Sequence, residues 1–370
     1  MRKGTFYIVI LLLFFSRAMS QTAKYSNAFL SLGIGARGLS MSNSMTAIVD
    51  DITAAYWNPA GLVNMNKKYE VGLMHAEYFA GIAKYDYGAI AYKIDERSAV
   101  SLSYIRFGVD NIMNTTDLID NQGNINYDRI SYFSAADHAF FVTYSRQMPR
   151  VEGLSLGGSV KIIRRTIGHF AGAWGFGLDA GLRFHRKGWQ AGCLLRDATS
   201  TFNAWSYHLT DREQEVFLLT GNELPVNGLE LTTPTLLLGG AKQVNFGKGF
   251  NATFALDFDC TFDGKRNVLI RSNFMSIDPH FGMEFAYKKI VAVRAGLGQL
   301  QQETDFDNKK KTTVQVNLGV GLCIKNIVTI DYAFTDIGDL SIAMYSHIFS
   351  LKIGLNTFKR TNNLKIKTTD

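Results

Sequence analysis

From Tyr69 to about Asn356, apolar and polar residues alternate with a period of two, the mark of a sheet whose faces meet different surroundings. Val314, Val316, Leu318, Val320, Leu322 and Ile324 stand against Thr313, Gln315, Asn317, Gly319 and Gly321. Trp174, Phe176, Leu178, Ala180, Leu182 and Phe184 oppose Gly175, Gly177, Asp179, Gly181 and Arg183 in the same way. The polar face also carries Lys161, Arg165, Asp257 and Arg294. A soluble β-sandwich uses strands of about five or six residues that bury their faces against one another. Longer strands with one apolar face and one face of Gly, Ser, Asp and Arg predict a transmembrane barrel, with lipid outside and a polar or plugged lumen.

Strand cores fall near 69–79, 82–94, 98–109, 137–147, 153–166, 171–185, 188–198, 233–244, 250–260, 280–288, 290–299, 312–324, 327–335 and 345–356, fourteen in all. A further candidate at 266–274 is set aside on parity, because bacterial single-chain barrels keep an even strand count, short periplasmic turns and longer outer loops. With fourteen strands and a periplasmic N-terminus, the short turns 95–97, 149–152, 186–187, 245–249, 288–289 and 325–326 share one side. The long connections 110–136, 199–232, 261–279, 300–311 and 336–344 share the other. The expected fold is therefore all-β, a 14-stranded antiparallel transmembrane barrel over 67–357, followed by a polar, basic tail at 358–370.

The N-terminus supports export. Arg2 and Lys3 precede an apolar run from Phe6 to Phe15, and Ala18-Met19-Ser20 supplies small residues before Gln21, so 1–20 read as a signal peptide. Beyond it no apolar stretch of about 18 residues occurs, which excludes a helical membrane protein and leaves the closed barrel as the way to span. The 370 residues are 46% hydrophobic with 5 prolines and 34 glycines, which suits one large β structure. The formal charge of +7 comes from scattered Lys and Arg without a dense basic run, so nucleic acid is not an expected partner. Cys193, Cys260 and Cys323 lie far apart inside predicted strands and read as small apolar fillers. The seven histidines stand singly, and no nucleophile elbow, phosphate loop or dinucleotide fingerprint appears. The expectation is a non-enzyme without cofactor or metal.

Between the leader and the first strand, residues 21–66 form a different kind of segment. Ser26 to Val63 is rich in small residues, includes Gly33, Gly35 and Gly38, and shows a helical pattern from Ser40 to Tyr56. It ends in Trp57-Asn58-Pro59-Ala60-Gly61, where Pro59 fixes its own φ and moves Asn58 out of the helical region. This is a compact plug, or hatch, and the glycines of the polar strand face leave room for it. Asp50 and Asp51 read either as a site or as residues that cap and solvate a helix end, and Arg37 is a partner for one of them. Asn58 is expected to order the turn through side-chain hydrogen bonds to nearby backbone.

The ordered set Gly35-Ala36-Arg37-Gly38, Met41-Ser42-Asn43-Ser44, Asp50-Asp51 and Tyr56-Trp57-Asn58-Pro59-Ala60-Gly61-Leu62 resembles the N-terminal signature of the PorV/PorQ family, PorV-like branch. Gly282-Met-Glu-Phe-Ala-Tyr and Val293-Arg-Ala-Gly are its second-best match. The family comprises outer-membrane proteins of the type IX secretion system of Bacteroidota and is similar to FadL-type barrels, which also carry Asn-Pro-Ala near the N-terminus. The resemblance implies a FadL-like barrel with a lumenal hatch. It also implies a non-enzymatic role in type IX protein secretion, with a large outer-membrane translocon barrel, exported cargo proteins and outer-membrane lipid as partners. The hatch motif it singles out is Gly35, Arg37, Gly38, Asp50, Asp51, Trp57, Asn58, Pro59 and Gly61.

The connection 199–232 holds Phe202, Trp205, Tyr207, Phe217, Leu218, Leu219 and Leu224, which is apolar for a water-facing loop. It is either a lid on the barrel or a partner-docking surface. The alternative function is a FadL-like channel that takes up hydrophobic small molecules. Such a channel needs a lateral opening and an apolar pocket, for which Leu30, Leu32, Ile34, Leu39, Met41, Met45 and Ile48 are the candidates.

Overall fold

A computed structural model describes residues 26–79, 81–119, 122–304, 310–337 and 346–357. The expected signal peptide at 1–20, residues 21–25 of the expected plug segment, the tail at 358–370 and parts of the connections 300–311 and 336–344 lie outside the described residues.

One antiparallel sheet runs through β1 (Lys67–Tyr78), β2 (Ala83–Lys93), β3 (Ser98–Asn114), β4 (Ser131–Gln147), β5 (Leu154–Ile167), β6 (Ala171–Arg186), β7 (Trp189–Arg196), β8 (Phe202–Tyr207), β9 (Gly228–Leu231), β10 (Thr235–Gly247), β11 (Phe250–Thr261), β12 (Ile270–Arg271), β13 (Ser276–Tyr287), β14 (Val291–Thr304), β15 (Lys310–Ile324), β16 (Val328–Ile337) and β17 (Ser346–Thr357). All but β8, β9 and β12 make the wall, a closed 14-stranded antiparallel FadL-like barrel. Pairing of β17 with β1 from Thr357↔Lys67 to His347↔Glu77 closes it. Closure removes the free edges of the sheet, which is what allows it to sit in lipid, and leaves an interruption in the ladder between β13 and β14.

The predicted alternation is realised residue by residue. Along β1, Glu70, Gly72, Met74 and Ala76 are buried toward the lumen, while Tyr69, Val71, Leu73 and His75 face out. The core is therefore not between two sheets but inside the barrel, where the hatch fills the lumen. Ile34, Met41, Met45, Ile52, Leu62 and Met65 are fully buried there. The inward glycines make this possible. A Cβ at Gly181 would stand 2.1 Å from Asn58 Oδ1, at Gly192 2.1 Å from the Thr46 carbonyl oxygen, and at Gly157 2.3 Å from the Pro59 carbonyl carbon.

The hatch is less regular than its sequence pattern. Instead of a helix over Ser40 to Tyr56, the chain forms short helical pieces at Ala28–Ser31, Ala36–Ser40, Ala54–Trp57 and Pro59–Asn64. Ser42 and Asn43 take left-handed φ values of 48° and 67°, which break a helix there. The hatch also threads the lumen lengthwise. Ser26 and Asn27 meet Thr232 and Asn203 at the long-connection end. Met65 reaches the short-turn end, where its carbonyl accepts from Lys93 Nζ at 2.9 Å. The first described residue thus lies toward the outer loops, while the wall itself begins at the short-turn end with Lys67.

Two further corrections concern the wall. The connection 199–232 is not a plain loop but the β8–β9 hairpin with a helix, Asp211–Leu219, between its strands. And β13 starts at Ser276, four residues before the predicted core, because Pro279 disguises its outer end.

Candidate functional site: hatch, outer vestibule and side seam

The residues of the hatch motif either pack the plug on itself or tie it to the wall. Trp57 donates from Nε1 to the Ile34 carbonyl at 3.1 Å, and its ring covers Gly38, where a Cβ would sit 2.7 Å from Trp57 Cζ2. Gly35 has φ 75°, the left-handed region that favours glycine, and its N–H points at Met74 Sδ, 2.9 Å away. Gly61 packs on Val49, whose carbonyl oxygen lies 2.4 Å from the position of a Cβ. Asn58 is fully buried. Its Nδ2 donates to the Thr46 carbonyl at 2.8 Å and to the Leu182 carbonyl of β6 at 2.9 Å, and its Oδ1 accepts from Ala60 N at 3.1 Å. The local turn bond to Ala60 follows from sequence logic; the bond to the wall has no sequence signal. Pro59 opens the helical turn that abuts Gly157.

The charged motif residues join networks that sequence reading only half anticipates. Arg37 forms a fork on Glu284, with Nε at 3.0 Å and Nη2 at 3.1 Å, while Nη1 reaches Asp50 at 3.0 Å. Glu284 in turn accepts from Arg294 Nε at 2.6 Å, and Arg294 Nη1 reaches Asp331 at 2.7 Å. Burial would lower the Arg37 pKa, yet Glu284, Asp50 and Asp51 outweigh it and raise it further above its ordinary value. Asp51 accepts from Thr53 N at 2.9 Å and from Lys352 Nζ of β17 at 2.5 Å. Burial alone would raise its pKa, but Lys352 and Arg37 hold the carboxyl well below the usual range. Glu284 and Lys352 were not predicted site residues; Glu284 falls inside the Gly282-Met-Glu-Phe-Ala-Tyr resemblance, whereas Lys352 is marked only by its position on the lumenal face of the alternation.

Above the hatch, toward the long connections, lies a cavity of about 450 Å³. Its lining is mainly polar, with Asn43, Arg196, Asp259, Asp278, His280, Gln299 and Gln301 among it. Arg196 stacks 4.7 Å over the Tyr56 ring, and Asp278 Oδ1 is buried without a hydrogen-bond partner. A second cavity of about 270 Å³, sharing His280 and Gln299, adds Leu32, Leu39, Tyr78 and Phe79. Of the apolar hatch residues considered as pocket lining, Leu30, Leu32 and Leu39 border these two spaces and Ile48 borders another near the short turns. Ile34, Met41 and Met45 do not; they are packing.

The wall beside this vestibule has a seam. β13 and β14 pair only from Phe281↔Leu297 to Tyr287↔Val291. Further out, Ser276 and Ile277 pair with β11 on one edge and with Arg271 and Ile270 of β12 on the other. β14 turns away at Gln299, with φ 50°, and pairs onward with β15 alone. The connection between β11 and β13 thus folds back into the gap and is held to β14 by Arg271 Nη2 to Gln302 Oε1 at 2.8 Å and Gln302 N to Asn267 Oδ1 at 3.1 Å. Arg266, Asn267 and Val268 of that connection line the larger cavity, and its Leu269, Ile270 and Phe274 are exposed on the outside. Pro279, which has no N–H to offer a ladder, sits at this seam.

The expected docking residues divide. Phe202, Trp205 and Tyr207 belong to β8, which extends the wall beside β6. Trp205 donates to Glu230 at 2.7 Å and lies under the Arg165 guanidinium, so it is tied down. Phe217, Leu218 and Leu219 lie on the helix Asp211–Leu219, where Leu218 and Leu219 are 61% and 74% exposed.

No protein-family model and no curated protein matches the sequence. Solved structures do match in fold. They include the CymD monoaromatic hydrocarbon channel at 13% identity and TM-score 0.53, covering 88% of this chain and 98% of that one. The Ralstonia pickettii toluene transporter TbuX matches at 12% and 0.52, over 88% and 99%. The Pseudomonas putida toluene transporter TodX matches at 13% and 0.53, over 86% and 96%. The fold and these neighbours define an outer-membrane type of β-barrel, FadL-like in architecture.

Proposed function

We propose that this protein is a side-opening channel that passes small, mainly hydrophobic molecules between the outer vestibule and the membrane. The observation that carries this reading is the seam between β13 and β14, closed by a folded-back connection instead of a strand ladder, directly beside the 450 Å³ cavity. The hatch fills the lumen below, which favours an exit through the wall. The polar lining further favours molecules that carry a polar group on an apolar body. The likeness to hydrocarbon channels supports the architecture this needs. Proteoliposomes holding the protein should take up a small aromatic alcohol faster than protein-free vesicles; equal rates would reject the channel.

A second reading, a component of type IX protein secretion that docks a translocon and exported proteins, is favoured by the hatch signature and by exposed Leu218 and Leu219. Deleting 199–232 separates the two. A docking component loses its partners in a pull-down from solubilised membrane, whereas a channel with its seam intact keeps its uptake.

A further inference from the structure

The two ends of the barrel carry opposite charge. The short turns with their flanks, 67–68, 93–97, 146–152, 186–187, 242–248, 288–289 and 325, hold thirteen Lys or Arg and three Asp or Glu. The described residues of the long connections, 110–119, 122–130, 197–234, 259–278, 300–304, 310–311 and 336–337, hold seven Lys or Arg and fourteen Asp or Glu. The overall charge of +7 conceals this polarity.

The basic end is costly in local conformation. Lys187, Lys248, Lys288, Lys289 and Lys325 occupy left-handed turn positions, with φ of 50°, 49°, 50°, 57° and 51°. Two-residue hairpin turns prefer Asn, Asp or Gly there, and a residue with a Cβ forgoes on the order of 1 kcal/mol. Lysine at five such positions is explained by charge, not by the turn.

The height of the ring identifies what it meets. Lys242 Nζ lies 4.2 Å from the Trp189 ring centroid and Lys288 Nζ 5.1 Å from that of Tyr287, while Lys68 spans Tyr69 and Tyr92 at 5.8 and 5.9 Å. Trp189, Phe246 and Phe250 around them are exposed on the outside of the wall. Aromatics of this kind form the interfacial girdle of a membrane barrel, at the level where lipid headgroups lie and lysines extend to reach them. We propose that the short-turn ring binds the headgroups of anionic phospholipids, anchoring the barrel in the inner leaflet of its membrane and fixing its vertical position. The chemistry is several ammonium groups converging on phosphate diesters, each adding a modest attraction at the surface.

The test uses the full chain in nanodiscs of equal phosphatidylglycerol and phosphatidylethanolamine, with retained lipids counted by native mass spectrometry. The wild type should retain phosphatidylglycerol in preference by roughly tenfold. Replacing the five lysines by asparagine, which suits left-handed turns and leaves folding intact, should reduce the preference toward unity. Replacing them by arginine should preserve it. Sodium phosphate should lower the wild-type preference no more than sodium chloride of equal ionic strength does, since both screen the lysines alike. Equal retention of the two lipids, an unchanged preference in the asparagine variant, or displacement by free phosphate beyond that by chloride would overturn the proposal. So would capture of an acidic soluble protein with no preference among lipids.

Discussion

Asn58 shows how much of the hatch rests on single side chains. It joins three backbone groups from two hatch turns and one wall strand, all inside the lumen. Asn58→Ala leaves the Thr46 and Leu182 carbonyls and the Ala60 N–H without these partners, at about 1–3 kcal/mol for each group that water cannot reach. Its thermal unfolding midpoint should fall, and protease should cut the hatch before the barrel; an unchanged midpoint would mean that the hatch is held elsewhere. Asp51 gives the pH dependence. Its folded pKa is depressed, so the stability it adds is complete above the unfolded carboxylate value of about 3.9 and is lost as pH falls through the lowered folded value. The Asp51 contribution to hatch protection from hydrogen exchange should therefore weaken as pH falls below about 4, and in Asp51→Asn the hatch should be weaker with a shallower acid limb. At this scale the sequence was partly legible. Arg37 was expected beside Asp50 or Asp51, but Glu284 and Lys352 stand more than two hundred residues away in the chain, and only the closed barrel brings them in.

At the scale of elements, the strands were readable because one face meets lipid and the other the hatch, so the period of two persists over long segments. What could not be read was the interruption of that rule. β8 and β9 prolong the wall after breaks at Asp197–Thr201 and Thr232–Pro234, and both breaks contain turn residues that look like loop. The buried Asp197 at the first break accepts from Lys161 and Thr201. The seam left two traces in the sequence, Pro279 and the strand candidate at 266–274 that parity set aside, which contains Ile270–Arg271 of β12. The connection that fills it is tied to its neighbours by two bridge pairs, by Arg271 and Asn267 to Gln302, and by Ser276 Oγ with Arg266 N and the Gly264 carbonyl, each hydrogen bond worth about 1 kcal/mol. Amides of Ile270 and Arg271 should therefore exchange far faster than those of β13 from Phe281 to Tyr287, and N267A with R271A should accelerate them by a further tenfold or more, on the order of 1.4 kcal/mol or above. Exchange as slow as in the neighbouring ladder would show a fixed wall.

For the whole molecule, length, alternation and turn sorting were enough to define a 14-stranded barrel with a plug, because closure and parity leave few other solutions. The path through it was not legible, since it depends on which two strands fail to pair. A lumen filled by the hatch and a wall with one folded-back connection predict a protein that passes small amphipathic molecules but carries no appreciable ion current. The most direct measurement bridges the seam. In a background lacking the native cysteines, R271C and Q302C are joined by a short bis-maleimide, and uptake of a small aromatic alcohol into proteoliposomes is followed before and after bridging. The account predicts rapid uptake before bridging and the rate of protein-free vesicles after it, with recovery when a cleavable bridge is cut. Uptake that continues undiminished through the bridged barrel would contradict a side exit at β13 and β14.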